Sequence, residues 1–217
     1  MTESLLCCQN LSKQYGPKNH VLFKNLSFEL FPKEILYVLG DNGRGKTTLL
    51  KILAGLLSFE LGEVYVRGQL FHPYKPSLRR FIGWVPSSES SFFSFATAEQ
   101  NLLFWGKFFH MDQKMIQYRA FSLGEALGLE KNDFQVPFQE LSSGFKKRFS
   151  ILRALLPDPI ILLLDEPFAF LDQKSLKKIK AFLWDWKNHE ERGVIFSSHI
   201  ELPLEKVSKV IKLEAYC

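Results

Sequence analysis

The sequence has no apolar run long enough to cross a bilayer. Its longest purely aliphatic stretch, Ile160 to Leu164, falls far short of the ~18 to 20 residues that a membrane-spanning helix needs. The N-terminus, Met1-Thr2-Glu3-Ser4, lacks the basic region of a secretory signal, so a cytoplasmic protein is expected. Cysteine is scarce: Cys7 and Cys8 are chain neighbours badly placed for a mutual bridge, and Cys217 stands at the end. No disulfide framework follows, and reduced thiols are expected. Contiguous basic tracts are missing too. The net charge of +5 and pI near 9.0 permit nucleic acid or an anionic membrane as partner. Yet Lys146-Lys147-Arg148 and Lys177-Lys178 are short, and on expected helices such runs read as solvated faces. No nucleic-acid partner is expected. There is no internal repeat and no low-complexity linker. With 46% hydrophobic residues in a chain of 217, one substantial core is affordable, and residues 1–217 read as one domain.

What the sequence does contain is organised around Gly40-Asp41-Asn42-Gly43-Arg44-Gly45-Lys46-Thr47-Thr48. The apolar run Ile35 to Leu39 precedes it and the helix-like Leu49-Leu50-Lys51-Ile52-Leu53 follows, which gives a strand, a loop and a helix. Gly40, four residues, then Gly45-Lys46-Thr47 is the spacing of a phosphate loop. Glycines let backbone N–H groups approach phosphate oxygens, and the helix N-terminus adds partial positive charge. Lys46 is expected on the β- and γ-phosphates and Thr47 on Mg²⁺. The competing reading is an incidental glycine-rich turn, against which the flanking strand and helix weigh.

Upstream, Leu5 to Leu11 and Val21 to Leu30 have strand character, with Lys13 to Pro17 as a turn between them. Tyr15 in that turn either plugs a hairpin end or stacks on an adenine ring. Downstream, Leu49, Leu50, Leu53, Leu56 and Leu57 keep a helical period, Gly62 opens a strand through Val66, and Phe81 to Val85 is another. From about residue 88 to about 157 the pattern turns helical, at Thr97 to Phe109, Met115 to Leu127 and Phe145 to Leu156. Ile160 to Leu164 then reads as a buried strand that delivers Asp165 and Glu166 at its C-terminal end, where open α/β sheets place their chemistry. One carboxylate can hold Mg²⁺ opposite Thr47 while the other orients or deprotonates water. Leu176 to Trp186 is an amphipathic helix, Val194 to Ser198 a strand ending on His199, and Val207 to Leu213 a last strand. Strands alternating with helices give an α/β class with right-handed crossovers.

On these residues the chain resembles the ATP-binding cassette (ABC) transporter family over essentially its whole length. Leu141-Ser142-Ser143-Gly144 with Phe145 to Arg148 is similar to the family's signature segment, and Ile161 to Pro167 to its Walker B strand. Phe170-Leu171-Asp172 matches its D-loop, Phe196 to His199 its switch histidine, and Tyr15 the position of its adenine-stacking aromatic. The resemblance implies a P-loop NTPase core with an antiparallel β subdomain and an inserted α-helical signature subdomain. It also implies ATP and Mg²⁺ as cofactors. Gly40, Asn42, Gly43, Gly45, Lys46, Thr47 and Thr48 would cradle the nucleotide, with Thr47 and Asp165 on the metal. Glu166 would polarise water and His199 contact the γ-phosphate. Ser142 and Gly144 would reach ATP bound to the opposite subunit of a homodimer or heterodimer. The partner implied is a separate transmembrane permease, which makes the chain peripheral on the cytoplasmic face of the membrane.

Within the family, Ala96 to His110 resembles the corresponding helix of exporter-type cassettes, and Leu164 to Phe168 is similar to the haem-exporter ATPase of cytochrome c maturation. The alternatives are a soluble cassette ATPase acting on ribosomes or DNA and a degenerate ATP-binding regulatory module. The chain departs from the family pattern at four places. Ser87 stands where glutamine is usual and is too short to make the same reach. Ser143 replaces a glycine and Phe145 a glutamine in the signature. Arg44 replaces a small residue and either faces solvent or adds charge beside the phosphates. Between Ser87 and His110 lie Phe92, Phe93, Phe95, Phe104, Trp105, Phe108 and Phe109. The expectation is that some of these, Phe92 and Phe93 among them, stay exposed for the permease, against the alternative that all pack inside.

Overall fold

The computed structural model describes residues 3–15, 20–71, 76–189, 191–199 and 207–213. The turn at Gly16-Pro17, the start of the connection at residues 72–75, and Cys217 lie outside the described residues. Two sheets carry the chain. β1 (Leu6–Tyr15), β2 (His20–Leu30), β4 (Leu61–Val66) and β5 (Gln69–Leu70) form an antiparallel sheet in the order β2-β1-β4-β5. β3 (Ile35–Leu39), β6 (Ile82–Val85), β7 (Ile161–Leu164), β8 (Gly193–Ser198) and β9 (Lys209–Lys212) form a parallel sheet in the order β6-β7-β8-β3-β9. Every residue of β3, β7 and β8 is buried, which explains why these strands show no polar alternation: both faces are covered. Leu39 pairs with Ser198 and Leu164 with Phe196. The chain therefore leaves β3, β7 and β8 at one common edge, the C-terminal edge at which such sheets bind ligands.

Between β6 and β7 lie α2 (Ala98–Phe108), α3 (Gln113–Ala126) and α4 (Ser143–Leu155). Thr97 and Gln100 form a reciprocal capping box on α2, and the Asp112 side chain accepts from the Met115 N–H to start α3. Leu102, Ala120, Phe134, Phe138, Phe149 and Leu152 close this helical layer onto one side of the parallel sheet. α1 (Lys46–Leu53) and the antiparallel sheet cover the other side.

Several details correct the sequence-based expectations. α1 ends at Leu53, because Gly55 at φ +67° turns the chain, and Leu56 is left 52% exposed although it continues the helical period. Phe81 belongs to a 3₁₀ turn, Pro76–Phe81, rather than to β6. Lys147 and Arg148 are not a solvated face: both are buried. The first turns of α4 press against the core, and their cations survive there because carbonyl oxygens meet them. Arg148 donates to Gly144, Gly128 and Leu127 oxygens at 3.2, 2.8 and 3.4 Å, the last two at the C-terminal end of α3 where a helix favours positive charge. Phe92 is buried as well, stacked on Phe138 with ring centroids 4.0 Å apart, while Phe93 and Phe95 remain exposed.

Candidate nucleotide site

The loop from Gly40 to Gly45 bends back over the end of β3 because Gly43 and Gly45 take φ of +84° and +89°, a region that side chains avoid. A Cβ on Gly45 would press on Leu22 at 3.2 Å, so glycine there also meets a steric demand. Arg44 between them is exposed and is not among the residues that line the cleft. Lys46 opens α1 and is buried; its ammonium donates to the carbonyls of Gly40 at 2.6 Å and Asp41 at 3.1 Å and lies 3.5 Å from Glu166 Oε1.

The acids come from the end of β7. Asp165 is fully buried and satisfied on both oxygens: Thr47 donates to Oδ2 at 2.8 Å and Ser197 to Oδ1 at 2.7 Å. Glu166 follows with φ +47°, a left-handed turn for a non-glycine residue, and its N–H donates to the same Ser197 hydroxyl at 3.0 Å. Its carboxylate faces two groups, Lys46 on Oε1 and His199 Nδ1 on Oε2 at 3.0 Å. Tyr15, Asn42, Gly43, Gly45, Lys46, Thr47, Thr48, Ser87, Asp165 and Glu166 thus line one cleft of about 340 Å³. A second, of about 370 Å³, adjoins it through Asn42, Ser87 and Glu166 and adds Glu89, Ser143, Lys147, Phe170 and His199. A larger hollow of about 550 Å³ beside Cys7, Glu29 and Lys209 lies elsewhere and brings together no such set of cations and glycine amides.

Ser142 and Gly144 do not line these clefts. Ser142 is exposed at the start of α4, with no capping bond from its side chain, and Gly144 is packed so tightly on Ser175 that any Cβ would collide with it. Ser143 holds the Phe170 carbonyl at 3.1 Å, so signature and D-loop are tied within this chain. Two residues at the site carry no plain mark of it in the sequence. Ser197 reads there as part of a strand, although a hydroxyl among the apolar residues of β8 is a signal that something must bond it. Lys147 reads there as part of a solvated face.

The residues present fit Mg²⁺ with a nucleotide. A hydroxyl and a carboxylate are hard oxygen donors, and that ion keeps most of its shell as water and phosphate, so a dedicated cage is not required. Among the described residues no cluster of three or more His, Cys, Asp or Glu forms such a cage.

The family model described as ABC transporter matches residues 23–169. The chain belongs to the ABC transporter family. It carries that family's ATPase fold, with its antiparallel and parallel sheets. Among its relatives, the chain is 33% identical over 197 residues to the linearmycin resistance ATP-binding protein LnrL of Bacillus subtilis, covering 90% of this chain and 61% of that protein. It is 36% identical over 178 residues to the energy-coupling factor transporter ATP-binding protein EcfA1 of Thermotoga maritima, covering 82% of this chain and 67% of that one. It therefore spans only about two thirds of the length of these curated relatives. Among solved structures, the ATP-binding cassette MJ0796, dimeric in a post-hydrolysis state bound to ADP and Pi, superposes with a TM-score of 0.79 at 26% identity, covering 90% of this chain and 88% of that one. No helix among the described residues is long and apolar enough to cross a membrane.

Proposed function

We propose that this chain is the ATP-binding and ATP-hydrolysing subunit of a membrane transporter. It works on the cytoplasmic face, pairs with a second ATPase subunit and drives a separate membrane-spanning permease. The observation that carries this reading is the convergence of Lys46, Thr47, Asp165, Glu166 and His199 at one edge of the parallel sheet, with hydrogen bonds linking Thr47 to Asp165 and His199 to Glu166. The relatives' names, a linearmycin resistance ATP-binding protein and an energy-coupling factor transporter ATP-binding protein, support the ATP and transport parts. The dimeric cassette bound to ADP and Pi supports pairing.

In this reading the amides of Gly43 to Thr48 and the Lys46 ammonium hold the β- and γ-phosphates, and Tyr15 stacks on the adenine. Thr47 and Asp165 would hold Mg²⁺, which would supply charge neutralisation at the phosphate oxygens. Glu166 accepts the proton of a water whose oxygen bonds to the γ-phosphorus as the bond to the bridging oxygen breaks, leaving ADP and phosphate. His199 keeps the Glu166 carboxylate turned toward that water and reaches the γ-phosphate. Since Ser142 and Gly144 stand away from their own cleft, they serve the cleft of the partner subunit, so each site needs two chains.

Phosphate release from Mg-ATP by the full chain tests this. Replacing Glu166 with Gln should lower the rate by about a hundredfold while leaving ATP affinity within about threefold. Wild-type turnover in that variant would move the catalytic role to another acid. No turnover by the unaltered chain, alone or with a permease, would defeat the proposal.

A further inference from the structure

Two buried cations on α4 grip the segment that leaves β6, and the chemistry above uses neither. Lys147, 3% exposed, donates to the carbonyl oxygens of Pro86 at 3.3 Å and Ser87 at 3.0 Å and lies 3.8 Å from Glu89 Oε1. Arg153, further along the helix, donates to the Trp84 carbonyl at 3.0 Å and to the Ser91 hydroxyl. The stretch 84–91 is thus fastened at both ends to one helix. Its Ser87 stands on the wall shared by the two halves of the nucleotide cleft, and Lys147 and Glu89 line the half that holds His199 and Glu166.

A buried ammonium is expensive, and an apolar residue of similar volume is often as stable or more so, so stability alone is a poor reason for Lys147. Burial pushes the Lys147 pKa down, while the negative charges of Glu89, Asp165 and Glu166 pull it back up; the catalytic acids therefore act on this ammonium through space. We propose that Lys147 is a positioning residue for ATP hydrolysis: its ammonium fixes the Pro86-Ser87 backbone at the rim of the nucleotide cleft. The inference rests on the ATPase reading. Lys147 acts on the reaction through this loop, by keeping the cleft wall beside Glu166 in one place while the γ-phosphate is attacked.

The test uses the full chain with Lys147→Met, which keeps the volume and loses the donors, and Lys147→Arg, which keeps a cation. Mg-ATP kinetics, thermal melting and amide hydrogen exchange across residues 84–91 are measured on each. Lys147→Met should lower kcat about tenfold with KM within about threefold, speed exchange across 84–91 and melt within a few degrees of wild type, and Lys147→Arg should recover most of the lost kcat. A kcat within about twofold of wild type in Lys147→Met overturns the proposal. So does an equal kcat loss in both variants that follows a fall in melting temperature. Should Lys147→Met fail to fold, Lys147→Gln is read by the same criteria. If the unaltered chain hydrolyses no ATP, the ATPase reading fails by itself. The exchange measurement still decides the loop: unchanged exchange across 84–91 shows that Lys147 does not hold it.

Discussion

Ser197 donates its hydroxyl to Oδ1 of Asp165 across 2.7 Å, inside the sheet, where neither residue meets solvent to any extent. The Ser197 hydroxyl oxygen in turn accepts the peptide N–H of Glu166, so one hydroxyl bonds both acids: the one facing Thr47 and the one facing His199. Removing it in Ser197→Ala leaves a buried carboxylate oxygen and a partly buried N–H short of a partner, at a cost of about 1–3 kcal/mol each. Thermal melting should show that loss. The Mg²⁺ concentration needed for half-maximal hydrolysis should rise by roughly 10- to 100-fold, as happens when a group that orients a metal ligand is removed. An unchanged Mg²⁺ requirement would mean that Thr47 alone fixes Asp165.

Lys46→Ala tests the cradle. The ammonium is the cation buried at the mouth of α1, held by the loop carbonyls of Gly40 and Asp41. Charged hydrogen bonds of this kind contribute about 1.5–3 kcal/mol each, so ATP affinity measured by calorimetry should fall by roughly 10- to 100-fold. Equal affinities in wild type and variant would remove the phosphate loop from the account.

Glu166→Gln should accumulate a dimer. Because Ser142 and Gly144 lie outside their own cleft, ATP that is bound and not hydrolysed should hold two chains together. Light scattering should show a doubled mass on adding Mg-ATP to the variant and a return to monomer with ADP. A chain that remains monomeric with ATP, and hydrolyses it at a rate independent of protein concentration, would place the whole reaction within one copy.

Cys8 offers a check on the antiparallel sheet. Its thiol is buried under Leu26, to whose carbonyl it donates at 3.6 Å, and burial followed by the nearby Cys7 charge pushes its pKa up to about 12. At pH 8 Cys8 should resist iodoacetamide in the folded protein and react once urea unfolds it, which peptide mass mapping can follow. A thiol raised in the folded state stabilises the fold fully below its unfolded value of 9.0, and that contribution drains away as pH climbs toward 12. Denaturant midpoints should therefore fall across that window, and less steeply in Cys8→Ala.

The parts of this site that can be read from the sequence are those whose cause is local. Gly40 to Thr48 announces itself because the strand, the turn and the helix that define it are adjacent in the chain. Asp165 and Glu166 do so because acids at the end of an all-apolar strand are costly anywhere but at a site. Lys147 and Ser197 are not legible in this way because what decides them comes from elsewhere: the Pro86-Ser87 carbonyls in one case, Asp165 in the other. A lysine run on a helix looks the same in sequence whether its face meets water or carbonyl oxygens. Leu56 misleads for the opposite reason, since the helical period runs past Gly55 while the backbone does not.

Neighbouring phenylalanines supply the last case and the last prediction. Phe92 is 7% exposed, stacked on Phe138 at 4.0 Å with Arg153 5.5 Å from its ring, whereas Phe93 is 53% and Phe95 85% exposed. No periodicity distinguishes them, for they sit in a loop, and which ring turns inward is settled by Phe138. Phe93 packs edge-on to Phe104 at 4.8 Å, Trp105 links Phe104 to Phe108, and Phe95 lies exposed two residues on, so these rings form an exposed aromatic patch next to the segment that Lys147 and Arg153 fasten. Such a patch marks a partner surface, and in the proposed function the partner is the permease. Phe93→Ser with Phe95→Ser should leave melting and basal ATP hydrolysis near wild type and abolish recovery of the chain with membranes that carry its permease. Phe92→Ser should instead cost about 3–5 kcal/mol of stability, as truncating a core aromatic does. Recruitment of the Phe93/Phe95 variant at the wild-type level, with its fold intact, would assign the patch to something other than the permease.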